Sequence, residues 1–239
     1  MDKSVTLMVP VYGTAQLAEK LVRALPGFRA AAESIGWRFD GCIVVDDGSP
    51  NKDEMAAAVR CCGDAPLQLI RLDRNRGKGF AVRTGSLAAR SAYVLMSDCD
   101  MSAPLEEFAK LAAAAERIPD AAMICGSRRG LARGGGRSML RRVLSTVFAA
   151  LTRFAGTGGV RDPQCGFKLF RMEAMRPVFE ALRTERFAFD VELIRRAKRA
   201  GLRVMEVRVK WHGGRSSTLH VMHDGARMLL DLVRISFMR

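Results

Sequence analysis

The sequence is short of aromatic residues, of histidine, of long apolar runs and of paired cysteines, and each shortage removes a class of function. Aromatics are 7% of the 239 residues and are rarely interleaved with the basic clusters. No zinc-finger spacing, RNP-like motif or helix-turn-helix accompanies them, so nucleic acid is not an expected partner. His220 and His223 stand three apart without a Cys, Asp or third His at zinc spacing, and read as surface positions on a C-terminal helix. A spanning helix needs about 20 apolar residues. The longest charge-free stretch, residues 4–18, is shorter and carries Pro10 and Gly13. The opening MDKSVTLMVPVYG lacks the basic, apolar and small-residue order of a signal peptide, so no spanning segment is expected. The six cysteines have no C-x-x-C spacing and read as reduced cytosolic thiols, with Cys61 and Cys62 packing at a helix end.

What the sequence has in excess is positive charge, and it is unevenly placed. The formal net charge is +14. Residues 1–126 carry 15 Lys and Arg against 16 Asp and Glu, a net −1, whereas residues 127–239 carry 24 against 9, a net +15. Such asymmetry points to a polyanionic partner or an anionic membrane surface met by the second half; a solvated basic face is the plain alternative. With 49% hydrophobic and 27% charged residues the composition is globular, and residues 1–239 parse as a single domain.

Short β-branched runs alternate with Ala-rich segments of helical period through the first half. Strands are expected at 5–9, 39–45, 67–72, 92–96 and 121–125, and helices at 15–34, 53–62, 78–90 and 104–117. This alternation predicts an α/β fold with a mostly parallel sheet flanked by helices, whose ligands bind at the carboxyl ends of the strands. The second half is expected to supply helices at 138–154, 189–200 and 222–237 and a strand at 203–209. The apolar stripe of 138–154, flanked by Arg141, Arg142 and Arg153, suits either a core-facing helix or one lying in a membrane interface.

Two expected strands end in acidic pairs, VVDDGS with Asp46 and Asp47 and MSDCD with Asp98 and Asp100. Carboxylates are costly to bury, so acids directly after an apolar run should line the crevice. Asp98 and Asp100 can turn toward one hard cation, and Mg²⁺ or Mn²⁺ takes a few carboxylate oxygens together with phosphate oxygens and water. Taken alone, the pair also suits an Asp turn or an N-cap before the helix at Pro104. Between the acidic pairs lies RNRGKGFAVRTG, residues 74–85, where Gly77 and Gly79 let backbone approach an anion at a helix start and Lys78 adds a charge. It matches neither a Walker A loop nor the dinucleotide fingerprint.

In order, VPVYG (9–13), VVDDGS (44–49), NRGKGFAVRTG (75–85), SDCDMS (97–102) and GSR (126–128) resemble the inverting family 2 glycosyltransferases of GT-A fold. RDPQCGFKLFR (161–171), RFAFDVELIRRAKRAG (186–201) and EVRVKWHGGRSSTL (206–219) are similar to dolichyl-phosphate β-glucosyltransferases and bacterial polyprenyl-phosphate relatives. The resemblance implies that Pro10, Tyr12 and Asp47 hold the base and ribose of a nucleotide sugar, with Lys78 near the nucleotide. Asp98 would reach ribose or metal, and Asp100 would ligate Mg²⁺ or Mn²⁺ on the diphosphate. It further implies that Arg128, Arg161, Lys168 and Arg215 grip the acceptor phosphate, with Asp190 an acid beside the acceptor. Three departures stand out: Gly13 and Thr14 replace the usual Asn-Glu, Ser216 to Leu219 replace Gly-Ser-Lys-Leu, and the spanning segments of many relatives are missing.

The implied reaction is transfer of a sugar, glucose from UDP-glucose, to polyprenyl or dolichyl phosphate at the cytoplasmic face of a membrane. An acceptor phosphate is already ionised, so it needs positioning more than a base. The other readings are a polyprenyl-phosphate mannose synthase, a family 2 transferase with a hydroxyl acceptor in envelope or pigment assembly, a nucleotidyltransferase and, most distant, a nucleic-acid-binding protein. Composition and motifs leave the oligomeric state open.

Overall fold

The computed structural model describes residues 1–13, 15–50, 56–57, 66–128, 152, 156–212 and 221–238. The expected helices at 53–62 and 138–154, apart from isolated helical positions, lie outside these residues, as do Arg215, Ser216 to Leu219 and His220.

Seven strands form one sheet: β1 (Ser4–Val11), β2 (Arg38–Asp46), β3 (Leu67–Arg71), β4 (Tyr93–Ser97), β5 (Ala121–Ser127), β6 (Phe167–Arg171) and β7 (Arg203–Arg208), in the order β3-β2-β1-β4-β6-β5-β7. All described pairings are parallel except those of β6, which runs antiparallel to both β4 and β5. β1, β4 and β5 are buried along their whole length, which is why they read as continuous apolar runs instead of alternating ones.

The helices are α1 (Ala15–Ser34), α2 (Lys78–Ala88), α3 (Phe108–Arg117, entered through a 3-10 turn at Leu105–Glu107), α4 (Met172–Glu180), α5 (Phe189–Arg199) and α6 (Val221–Phe237). On one face α1 and α3 bring Phe28 and Phe108 against Trp37 and Tyr93, with Trp37 meeting Tyr93 and Phe108 edge-on at 5.0 and 5.3 Å. Such pairs add about 0.5–1.5 kcal/mol beyond the area they bury. On the other face Ala81, Val82, Phe179, Phe189 and Leu193, carried by α2, α4 and α5, cover Met8, Val45 and Phe170. Helix α6 packs Leu232 and Ile235 on Ala188 and Val191, leaving Leu230 and Phe237 exposed.

The structure adds an element in the middle of the sheet that sequence patterning did not supply. β6 reads FKLFR, and a lysine at the second position of a five-residue run argues against a strand buried on both faces. The fold accommodates it because Lys168 meets a carboxylate inside. Helix α4 was likewise unexpected, with Pro177 inside MEAMRPVFE. Among the described residues no helix is long and apolar enough to cross a membrane.

Candidate active site

The carboxyl ends of β1, β2 and β4 converge with the loop before α2, as the parallel topology requires. Asp46 is fully buried and belongs to the scaffold: it accepts from Arg71 Nη1 at 2.7 Å and from the Ser49 amide at 2.9 Å. Asp47, 4% exposed, accepts the amides of Arg76 and Gly77, both at 2.8 Å. It therefore fixes the loop that carries Lys78. Burial raises the Asp47 carboxyl above its ordinary range, against the pull of those two amides. Gly77 has φ +110, and a Cβ there would lie 2.6 Å from the Glu185 carbonyl, so this turn admits no side chain.

Tyr12 is 47% exposed beside this loop, and the Gly13 amide donates to Ser49 Oγ at 2.7 Å, tying the first loop to the second. Gly13 takes φ +69, a conformation glycine adopts without strain. Pro10 corrects the expectation of a base contact: it sits buried within β1, in register with Val45, and shapes the strand that presents Tyr12.

At the end of β4, Asp98 Oδ1 lies 2.5 Å from Lys78 Nζ. The Asp98 amide donates to the Gly166 carbonyl at 3.0 Å, and a Cβ on Gly166 would overlap the Asp98 carboxylate. Asp100 accepts from the Ser102 amide at 2.9 Å and from Ser102 Oγ at 2.7 Å, so the Asp turn allowed by the motif forms. Between them Met101 takes φ 49, the one positive value among described non-glycine residues. Strain of this kind marks a turn held by its surroundings. Asp98 and Asp100 are both partly exposed on the cleft, and among the described residues no cluster of three or more His, Cys, Asp or Glu could hold a metal by itself. Two carboxylates at one strand end fit a hard cation completed by a diphosphate.

The basic residues expected at an acceptor phosphate are placed quite differently from one another. Arg128 makes a bidentate pair with Asp162, Nε to Oδ2 at 2.8 Å and Nη2 to Oδ1 at 2.6 Å, and its guanidinium lies 5.0 Å from the Trp211 ring centroid. Its charge is already matched, which corrects the view of Arg128 as a free phosphate ligand. Burial alone would raise Asp162; the Arg128 hydrogen bonds and charge outweigh it and hold that carboxyl below its ordinary range. Arg161 is exposed, while its amide and that of Asp162 donate to Glu206 at 3.1 and 2.7 Å.

Lys168 and Asp190 are the larger correction. Lys168 is fully buried in β6 between Met96 and Cys125 and donates to Asp190 Oδ1 at 2.6 Å and to the Cys165 carbonyl at 2.5 Å. Burial works against its charge, and Asp190 outweighs it, keeping the ammonium above its ordinary range. Neither side chain faces the cleft, because β6 and the first turn of α5 point them into the space between sheet and helix. The flanking thiols of Cys125 and Cys165 are pushed by burial up to about 12 and stay protonated. The described cysteines Cys42, Cys99, Cys125 and Cys165 form no disulfide.

Asp162, Gly166, Glu192 and Trp211 act here without having been singled out by the motifs. Glu192, fully buried, accepts the amides of Arg183 and Thr184 and the Arg196 guanidinium at 2.6–3.1 Å, anchoring the segment that walls the Gly77 turn. Asp162 and Gly166 sit inside the quoted RDPQCG run, where the strand that follows Gly166 was itself hidden by Lys168.

The chain matches the pattern of glycosyl transferase family 2 over residues 6–179. It belongs to that family. A dolichyl-phosphate β-glucosyltransferase of Dictyostelium discoideum is 36% identical over 204 residues, 82% of this chain and 62% of that protein. One from Saccharomyces cerevisiae is 30% identical over 251 residues, 98% of this chain and 75% of that protein. The chain thus spans about three-fifths to three-quarters of the relatives it matches. Among solved structures, glucosyl-3-phosphoglycerate synthase from Mycobacterium tuberculosis, in complex with Mn²⁺, UDP-glucose and phosphoglyceric acid, superposes with TM-score 0.71 at 16% identity, covering 99% of this chain and 81% of that one. Mannosyl-3-phosphoglycerate synthase from Rubrobacter xylanophilus gives 0.65 at 19% identity, covering 97% and 72%. The sheet of this family 2 glycosyltransferase is the GT-A fold.

Proposed function

We propose that the protein moves glucose, with inversion, from UDP-glucose to the phosphate of a polyprenyl or dolichyl lipid, its two halves forming a single catalytic domain. The observation that carries this reading is the reach of the similarity. It runs over 98% of the chain with the yeast dolichyl-phosphate β-glucosyltransferase, well past the family pattern that ends at residue 179, and so takes in the basic acceptor-side segments.

The geometry supports a phosphate nucleophile. A sugar hydroxyl would need a carboxylate base near the acceptor, and the acid expected there, Asp190, is buried against Lys168. An acceptor phosphate needs cationic positioning, for which exposed Arg161 is suited and Arg215 remains the sequence-based candidate. On the donor side Tyr12 offers an open ring face for the base, and Lys78 and the amide-rich turn at Gly77 face the diphosphate. Lys78 is partly buried, which alone would depress its pKa, yet Asp98 and Asp190 hold it above its ordinary range, so it meets the departing nucleotide as a cation. Asp100, with Asp98, would hold Mg²⁺ or Mn²⁺, which when bound supplies charge neutralisation to the diphosphate.

A prenyl tail stays in the bilayer, so the enzyme would work as a peripheral protein on the cytoplasmic face. The net +15 of residues 127–239 favours anionic lipids by about 1 kcal/mol per nearby basic residue. Incorporation of radiolabelled glucose from UDP-glucose into undecaprenyl or dolichyl phosphate, with Mg²⁺ or Mn²⁺, tests the proposal. Labelled lipid from wild type and none from Asp100→Ala supports it; UDP release with another acceptor and no lipid product overturns the acceptor assignment.

A further inference from the structure

A pair of opposite charges lies beneath the cleft, not in it. Lys168 is fully buried, Asp190 is 3% exposed, and the two are joined at 2.6 Å. A buried ion pair is a poor device for stability alone, since apolar residues of similar volume commonly do as well or better. Its surroundings give it another use. Lys78 opens α2, and its Nζ sits on Asp98 and 6.0 Å from the ring centroid of Phe189, the neighbour of Asp190. Helices α2 and α5 are locked together there: a Cβ on Gly79 would lie 2.5 Å from the Thr184 carbonyl and 2.6 Å from Phe189 Cβ, and the Phe80 amide donates to the Glu185 carbonyl at 3.0 Å. Side-chain exposure falls from 26% and 23% at Asp98 and Lys78 to 4% and 0% at Asp190 and Lys168, and Lys78 interacts electrostatically with Asp190, so four charges alternate inward from the cleft.

We propose that Asp190 and Lys168 are positioning residues for Lys78, fixing a negative charge behind its ammonium so that it stays aimed at the diphosphate when the donor draws Asp98 away. Without a donor, Asp98 is the direct partner of Lys78. Once ribose or cation engages Asp98, the counter-charge that remains is the one held in the interior, and Lys168 keeps it there. Lys168 and Asp190 touch no substrate in this arrangement. They act through Lys78, and the inference rests on reading the cleft as a nucleotide-sugar site.

The test is binding of UDP in the presence of Mn²⁺, measured calorimetrically, together with steady-state transfer from UDP-glucose. Lys168→Met alone strands a buried carboxylate and can fail to fold, so the informative protein is the double variant Lys168→Met/Asp190→Leu. Its thermal midpoint should match or exceed wild type, while the UDP Kd and the KM for UDP-glucose rise about tenfold and the KM for lipid phosphate moves less than about twofold. Lys78→Met should weaken UDP by a similar factor, and adding the double substitution to it should weaken UDP no further, the non-additivity expected of groups acting as one unit. A folded double variant that binds UDP as wild type does, or whose loss adds in full to that of Lys78→Met, overturns the inference and leaves the donor assignment standing. If wild type binds no UDP while remaining folded, the reading of the cleft fails and the inference falls with it.

Discussion

The rim of the cleft and the layer beneath it both use acids and bases, but to different ends. At the rim Tyr12, Asp98 and Asp100 keep part of their surface in water, and their bonds are local ones that a ligand can replace: Ser102 on Asp100, Lys78 on Asp98. In the interior Lys168 and Glu192 have none and Asp190 almost none, and their partners are fixed by strand register and helix packing. Charge at the rim is available to substrate. Charge in the interior sets where the rim stands, so a motif residue's type says little about its role until its depth is known.

The sharpest way to separate the two layers is to neutralise one carboxylate in each. Asp190→Asn leaves the buried Lys168 ammonium unmatched and should cost about 3–5 kcal/mol in urea unfolding, whereas Asp98→Asn, at the partly solvated end of β4, should stay within about 1 kcal/mol. Equal losses would erase the distinction. Next in size is Gly166→Ala, whose Cβ would overlap the Asp98 carboxylate. Displacing that group should lower turnover about 100-fold, with far-UV circular dichroism unchanged. Arg128→Lys removes the bidentate fork on Asp162 and the contact with Trp211, and should cost roughly 1–2 kcal/mol by thermal unfolding. Tyr12→Ala should leave stability untouched and weaken UDP-glucose about three- to tenfold in a binding titration.

The smallest expected effect is on pH. Asp162 has its carboxyl held below the ordinary value in the folded protein, so the stability it contributes is complete above that value and is lost as pH falls through the folded pKa. Unfolding midpoints followed below about pH 4 should fall less steeply in Asp162→Asn than in wild type. An unchanged slope would show that the Arg128 pair is not what sets the acid limb.

Much of this architecture is legible in the sequence where one physical signal dominates. Continuous apolar runs place β1, β4 and β5 to within two residues at either end, and the acids that close β2 and β4 lie on the strand ends where parallel topology puts ligands. The Gly-Lys-Gly loop does open a helix, Lys78–Ala88. Legibility fails where two signals conflict. FKLFR hides a strand because its lysine is compatible with a buried sheet only through an aspartate 22 residues away, a pairing no local pattern contains. For the same reason Lys168 and Arg128 looked like phosphate ligands: a motif gives residue type, and their carboxylate partners become evident only when α5 and the Val160–Asp162 segment are folded back. Gly166 carried no chemical group to notice; its role is the space it leaves for Asp98.

The position of β6 also bears on how the chain is made. β4 closes at Ser97 and β5 at Ser127, yet the strand that joins them begins at Phe167. As the polypeptide emerges from a ribosome, the parallel N-terminal strands can assemble early, but β4 keeps a bare edge and β5 has no neighbour until about forty further residues have been synthesised. Bare edges invite pairing with other chains, and pairings distant in sequence form slowly. A nascent chain halted at residue 126 should thus aggregate instead of folding into a working donor half, and the glycine that makes room for Asp98 arrives with the same strand that removes the hazard.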